Sequence, residues 1–200
     1  MSEQSKPHLT HHDRIFKEFL YRFLPDFLRL FFPNEAAQLN FDTLKFLDKD
    51  LIVNLPEQAL RITDIIAEVE RLTGEKEVII THVDVEARRK KPLPRRMFEY
   101  YALLRLLSQK RVLPIALVLL PNAGGLTWQM YTETLFDREL VQFQYGQVGV
   151  RDLFSKVYLE KGDPVAAALT ALMKPGDEDP VSLKLTARQT IADSGLTAGR

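Results

Sequence analysis

Apolar residues recur along this chain with two different periods, and each change of period marks an element. Residues 1 to 9 are polar and predict a frayed, disordered N-terminus. Thr10, with Asp13 three residues on, predicts a helix start: the threonine caps and the acid favours the positive end of the dipole. Ile15, Phe16, Phe19, Leu20, Phe23 and Leu24 then recur at helical spacing as one broad apolar face. Pro25 predicts a break, Asp26 the cap of a second short helix through Phe32, and Pro33-Asn34 its end. The mixed stretch from Leu44 to Leu55 fits a strand. Ala59 to Glu70 (ALRITDIIAEVE) and Lys76 to Ala87 (KEVIITHVDVEA) are rich in β-branched residues, and Thr73-Gly74 between them predicts a hairpin.

Pro94 opens a predicted helix, Arg95 to Ser108, with Met97, Tyr101, Leu104 and Leu107 as its apolar stripe. Val112 to Leu120 (VLPIALVLL) is apolar without alternation, the pattern of a strand buried on both faces. Pro121, Asn122, Gly124 and Gly125 predict a turn, and Thr127 to Phe136 and Leu140 to Tyr145 two more strands. Asp163-Pro164 and Asp179-Pro180 each predict a helix start, the helices running to about Met173 and about Asp193. The order implies an α/β domain, a central mixed sheet flanked by helices. Residues 10–145 carry the strands, and 146–200 form a helical C-terminal extension packed on the same domain.

Composition narrows the class. Two hundred residues, 46% hydrophobic and 27% charged, suit one globular domain. The absence of cysteine excludes disulfides and thiolate zinc sites and implies a cytoplasmic protein. The first residues, MSEQSKPHLTHHD, lack the apolar core of a secretory signal, and Val112 to Leu120 is too short to span a bilayer. A soluble protein with no membrane partner is expected. Formal net charge is zero, so any contact with nucleic acid must come from a local basic patch.

Candidate chemistry lies on the predicted hairpin. Strand residues alternate faces, so Asp84 and Glu86 share one, roughly 7 Å apart. A turn at Thr73-Gly74 brings Asp64 opposite Asp84 or nearly so. Like charges across a ladder destabilise it, and a hard divalent cation held by carboxylates relieves that repulsion. Ile65, Ala67, Val69, Thr81, Val83 and Val85 alternate with these acids and suit a core face. The plainer reading is a solvated acidic face, and spacing alone does not separate the two.

The segments HHDRIFKEFL, LRITDIIAEVE, VIITHVDVEAR and PRRMFEYYALL, in that order, resemble the Rpn family. Its members are called recombination-promoting nucleases or putative transposases, within the PD-(D/E)xK nuclease superfamily. The resemblance covers roughly residues 11 to 125. It implies a restriction-endonuclease-like core: a helix, a three-stranded antiparallel sheet, a helix and one more strand. It also implies an Mg²⁺-dependent endonuclease acting on DNA, with Mn²⁺ as a substitute. Asp64 and Asp84 would be the metal-binding acids, and Glu86 would complete the catalytic set in the position of the signature lysine. That glutamate departs from the pattern, because it cannot stabilise developing negative charge as a lysine does. The alternative is therefore a catalytically degenerate module of the same fold that binds nucleic acid or protein. A metal hydrolase unrelated to nucleic acid is a third class. Lys17 is a candidate for the missing positive charge, and a solvated lysine beside Glu18 is the plainer account of it.

From Ala87 to Arg111 nine basic residues face one acid, Glu99. The stretch begins directly after the candidate acids, so Arg88, Arg89, Lys90, Lys91, Arg95 and Arg96 are the candidate nucleic-acid contacts, which would position a phosphate backbone. A solvated loop and helix face is the other reading. His82 shares the predicted face of Asp84 and Glu86, as a proton acceptor or as a polar filler of the sheet. His8, His11 and His12 have no assigned role. Tyr100, Tyr101 and Trp128 read as packing, and Gly124-Gly125 as a turn, since a phosphate loop needs more glycines and a lysine. A homodimer is compatible with the sequence.

Overall fold

A computed structural model gives the architecture. It describes residues 11–47, 65–73, 78–86, 92–160 and 164–176, with 179, 181, 182, 185 and 189; for 11–17, 78–86 and 164 it describes the backbone alone. The predicted frayed N-terminus and the Thr10 cap lie outside these residues.

Helix α1, His11–Phe31, is a single helix bent at Phe23 (φ −124°, ψ 22°) where two helices were expected. Pro25 supplies no N–H and crowds the preceding turn, which forces the bend. Both halves nevertheless stay on one surface: Leu20, Leu24, Phe27, Leu28 and Phe31 all enter the same core. The helix ends at Phe31, as Pro33-Asn34 predicted, and Pro33 also opens the short α2 (Pro33–Ala36), since its missing N–H would be unpaired at a first turn anyway.

Strand β1, Leu39–Phe46, begins earlier than the expected Leu44, and residues 48–64 lie outside the described set. Next come β2 (Ile65–Arg71), β3 (Val78–Glu86), α3 (Leu93–Ser108), β4 (Arg111–Val118), β5 (Leu126–Leu135) and β6 (Arg138–Gly149). Strand β6 thus runs past the expected end at Tyr145. A 3-10 turn at Val150–Asp152, α4 (Ser155–Leu159) and α5 (Pro164–Thr170) follow. The α5 start agrees with Asp163-Pro164. Asp179 accepts the Ser182 N–H at 3.1 Å, the cap expected of the last helix.

Among the described residues, six strands form one mixed sheet in the order β1-β2-β3-β4-β6-β5. Strands β1 to β3 pair antiparallel, β3 with β4 and β4 with β6 parallel, and β5 with β6 antiparallel. Parallel pairing of β3 and β4 requires a crossover, and α3 provides it. Pro114 is tolerated in β4 because pairing with β6 begins one residue later, at Ile115.

The sheet is covered on both faces. On one, Ile65, Ala67 and Val69 of β2 and Ile115 and Leu117 of β4, all fully buried, meet α1 and α5. On the other, Ala116 and Val118 pack with Met97 of α3 and with Phe143 and Tyr145 of β6, while Ile66 meets Leu104. The predicted double burial of β4 holds. The helical stripe is shifted, with Tyr100 buried and Leu107 exposed. Among the described residues, no helix is long and apolar enough to cross a membrane.

Candidate active site at the ends of the parallel strands

The hairpin ladder pairs Ile65 with Val83, Ile66 with His82 and Ala67 with Thr81. Its β2 core positions are those the alternation predicted, because register in a sheet with a buried face is fixed by the apolar set. The last described pair is Ile65 with Val83, and in sequence Ile65 directly follows Asp64 while Val83 directly precedes Asp84. Asp64 itself lies outside the described residues. Asp84 stands in register with Ala116, and Glu86 with Val118. The β4 positions alongside them therefore belong to the α3-covered face of the sheet. Among the described residues no group of three or more His, Asp or Glu side chains comes together as a cation site.

Parallel register gives this region a definite place. Glu86 aligns with Val118, and Val118 with Gly149, so β3, β4 and β6 finish at one edge of the sheet. Loops that follow the carboxyl ends of parallel strands are the usual location of ligand sites in α/β sheets. Two described segments emerge there, the 121–125 loop and the Val150–Asp152 turn.

Of the basic candidates, Arg88, Arg89, Lys90 and Lys91 lie outside the described residues. Arg95 and Arg96 adjoin on α3 but differ in environment. Arg95 is exposed and ion-paired to Glu99 at 2.9 Å, and this bond and charge, with Tyr131 and Glu133 nearby, raise its pKa further. Arg96 is buried, 5% exposed, close enough to Tyr145 for its charge to be felt there. Burial pushes the Tyr145 phenol up to about 12, against the opposing pull of Arg96. Only Arg95 of the two is at the surface. Further along, Lys110 forms an ion pair of 2.5 Å with Glu68 of β2, which ties the start of β4 to the hairpin.

The 121–125 loop contains a feature that sequence reading missed. Asp152 accepts backbone N–H bonds from Asn122 (3.1 Å), Ala123 and Gly124 (3.0 Å), and its carboxylate lies 3.4 Å from the Lys174 ammonium. Its partial desolvation would raise its pKa, but the three donors and the lysine outweigh that and hold it below the usual carboxylate value. Asn122 (φ 61°) and Gly124 (φ 87°) adopt left-handed backbone that turns successive N–H groups inward. Gln147 of β6 donates to the Ala123 carbonyl at 2.5 Å, closing the loop from its other side. The loop therefore holds an internal anion, which fits the turn reading of Gly124-Gly125. No local signal in the sequence links position 152 to 122.

No family model, curated protein or solved structure matches the chain.

Proposed function

We propose that this chain is a metal-dependent endonuclease of the PD-(D/E)xK kind, akin to the Rpn family, which hydrolyses DNA phosphodiester bonds with Asp64, Asp84 and Glu86 as its acidic set. The observation that carries the reading is the antiparallel β2–β3 ladder, whose final described pair flanks Asp64 and Asp84, beside a β4 that runs parallel to β3. Apart from the one-turn α2, the order α1, β1 to β3, α3, β4 supports this reading, since it follows the core order that the resemblance implies.

The donor chemistry suits a hard cation, because all three groups are carboxylates. Such an ion, when bound, lowers the pKa of a water and stabilises charge on phosphoryl oxygens. The chain's own groups have the remaining tasks. Glu86 accepts a proton or completes the acidic set, in a slot where a lysine would have stabilised negative charge. Arg95, with Arg88, Arg89, Lys90 and Lys91, meets the phosphate backbone and sets its position. Arg96 serves the contact between α3 and the sheet instead.

Glu86 also favours a second reading, the same fold without chemistry, binding nucleic acid or protein. The two separate on a supercoiled plasmid assay with Mg²⁺ or Mn²⁺. Metal-dependent nicking that Asp64→Ala and Asp84→Ala abolish, with melting temperatures close to wild type, supports the nuclease. Nicking retained by both purified variants overturns it. Salt-sensitive DNA binding with no cleavage, and no rise in melting temperature with millimolar metal, supports the binding module.

A further inference from the structure

The two edges of the sheet differ in how they are protected. At one edge, β1 loses register with β2 between Asn40 and Lys45, and it carries Asp42 and Lys45. A bulge and charges are the devices that keep an edge from pairing with another chain. At the other edge, β5 pairs with β6 without interruption from Leu126 to Glu133, and its first irregularity follows at Glu133/Thr134. The run Leu126–Thr132 (LTWQMYT) has no charge, no proline and no bulge. Leu126, Trp128 and Met130 alternate along it and are all 41–48% exposed. The opposite face of β5 is occupied, with Tyr131 stacked on Phe98 of α3 at 5.4 Å.

We propose that β5 is a self-association edge, pairing antiparallel with β5 of a second copy of this chain to make one continuous sheet through the dimer. The regular run is self-complementary about its centre, Gln129. A two-fold axis there sets Trp128 opposite Met130 of the second copy, and Met130 opposite its Trp128, an aromatic–thioether contact formed twice. Leu126 lies opposite Thr132. Glu133, the first charge, falls beyond the paired run, so no like charges meet across the axis. The chain as a whole is neutral, with a sequence pI near 6.9, so two copies approach without net repulsion. This inference does not depend on the nuclease reading.

Trp128 is the only tryptophan, so its emission reports this edge directly. The full chain is measured by light scattering and by tryptophan fluorescence over a dilution series from roughly 100 to 1 μM, the range of a moderate interface. The expected mass is twice 23.0 kDa at the upper end, falling on dilution together with a red shift of the emission. Met130→Lys is expected to weaken association at least about tenfold, by placing a lysine in each paired edge. Leu106→Lys, on an exposed site of α3, is expected to leave it unchanged. A mass of 23.0 kDa throughout overturns the proposal. So does a dimer that Met130→Lys leaves intact, or one that forms without any change in Trp128 emission. The last reading needs no variant, so it decides the matter even where Met130→Lys fails to fold.

Discussion

Replacing Asp152 by alanine tests whether one carboxylate fixes the loop that follows β4. Three N–H donors lose an ionised acceptor in that variant. A hydrogen bond to a charged group contributes about 1.5–3 kcal/mol where water cannot substitute for it. Only the Ala123 bond is partly buried, while those from Asn122 and Gly124 are exposed, so water recovers most of their share. The Lys174 contact, with its lysine half exposed, adds at most about 1 kcal/mol. The loss comes to about 3 kcal/mol. At roughly 2–4 °C per kcal/mol for a domain of this size, Asp152→Ala should melt about 6–12 °C lower than wild type at neutral pH.

The sign of the pH dependence follows from the depressed pKa. A carboxyl held below its ordinary 3.8 stabilises the fold fully above that value and stops doing so as pH falls through the folded pKa. The gap between wild type and Asp152→Ala should therefore be flat from pH 7 to about 5 and begin to narrow below about pH 4. Melting followed by circular dichroism measures both. A neutral-pH gap under about 2 °C, or a gap that persists undiminished at about pH 3, would refute the assignment of Asp152 as the anchor.

Three further outcomes follow from packing and turn geometry. A Cβ at Gly146 would lie 2.5 and 2.7 Å from the Phe32 ring, which is itself buried, so Gly146→Ala should lose about 1–3 kcal/mol in urea titration; an unmoved midpoint means that the ring has room to yield. Phe136 (φ 49°) and Asp137 (φ 63°) occupy the two-residue turn between β5 and β6, where left-handed backbone favours Asn-Gly. Phe136→Asn with Asp137→Gly should raise stability by about 0.5–1 kcal/mol, and a lower melting temperature would contradict that. Leu117→Ala, at a fully buried site, should lose about 2–5 kcal/mol, against under about 0.5 for exposed Leu106→Ala; equal losses would count against the assigned core.

Much of the fold was legible because burial writes itself into local periodicity. The apolar run from Val112 announced a strand covered on both faces, and alternation at Ile65, Ala67 and Val69 announced the inward side of the hairpin. Pro94 marked the start of α3 to within a residue. Where local rules failed, a tertiary contact had overruled them. Pro25 bends α1 without ending it, because residues on both sides of the bend bury against the same sheet. The Phe136-Asp137 turn carries no conventional turn signal, so the strand ends around it were misjudged.

For the candidate site, the chain alone determined which acids exist and the alternation that relates Asp84 to Glu86. Those are matters of spacing within one segment. Only the folded sheet decided that Asp84 and Glu86 stand beside Ala116 and Val118, at the edge where three parallel strands finish. Likewise, only the fold separated exposed Arg95 from buried Arg96, and joined Asp152 to a loop about thirty residues before it. The reason is physical: periodicity encodes which face of an element is buried, but partners distant in sequence are chosen by the joint packing of all elements, which no single segment records.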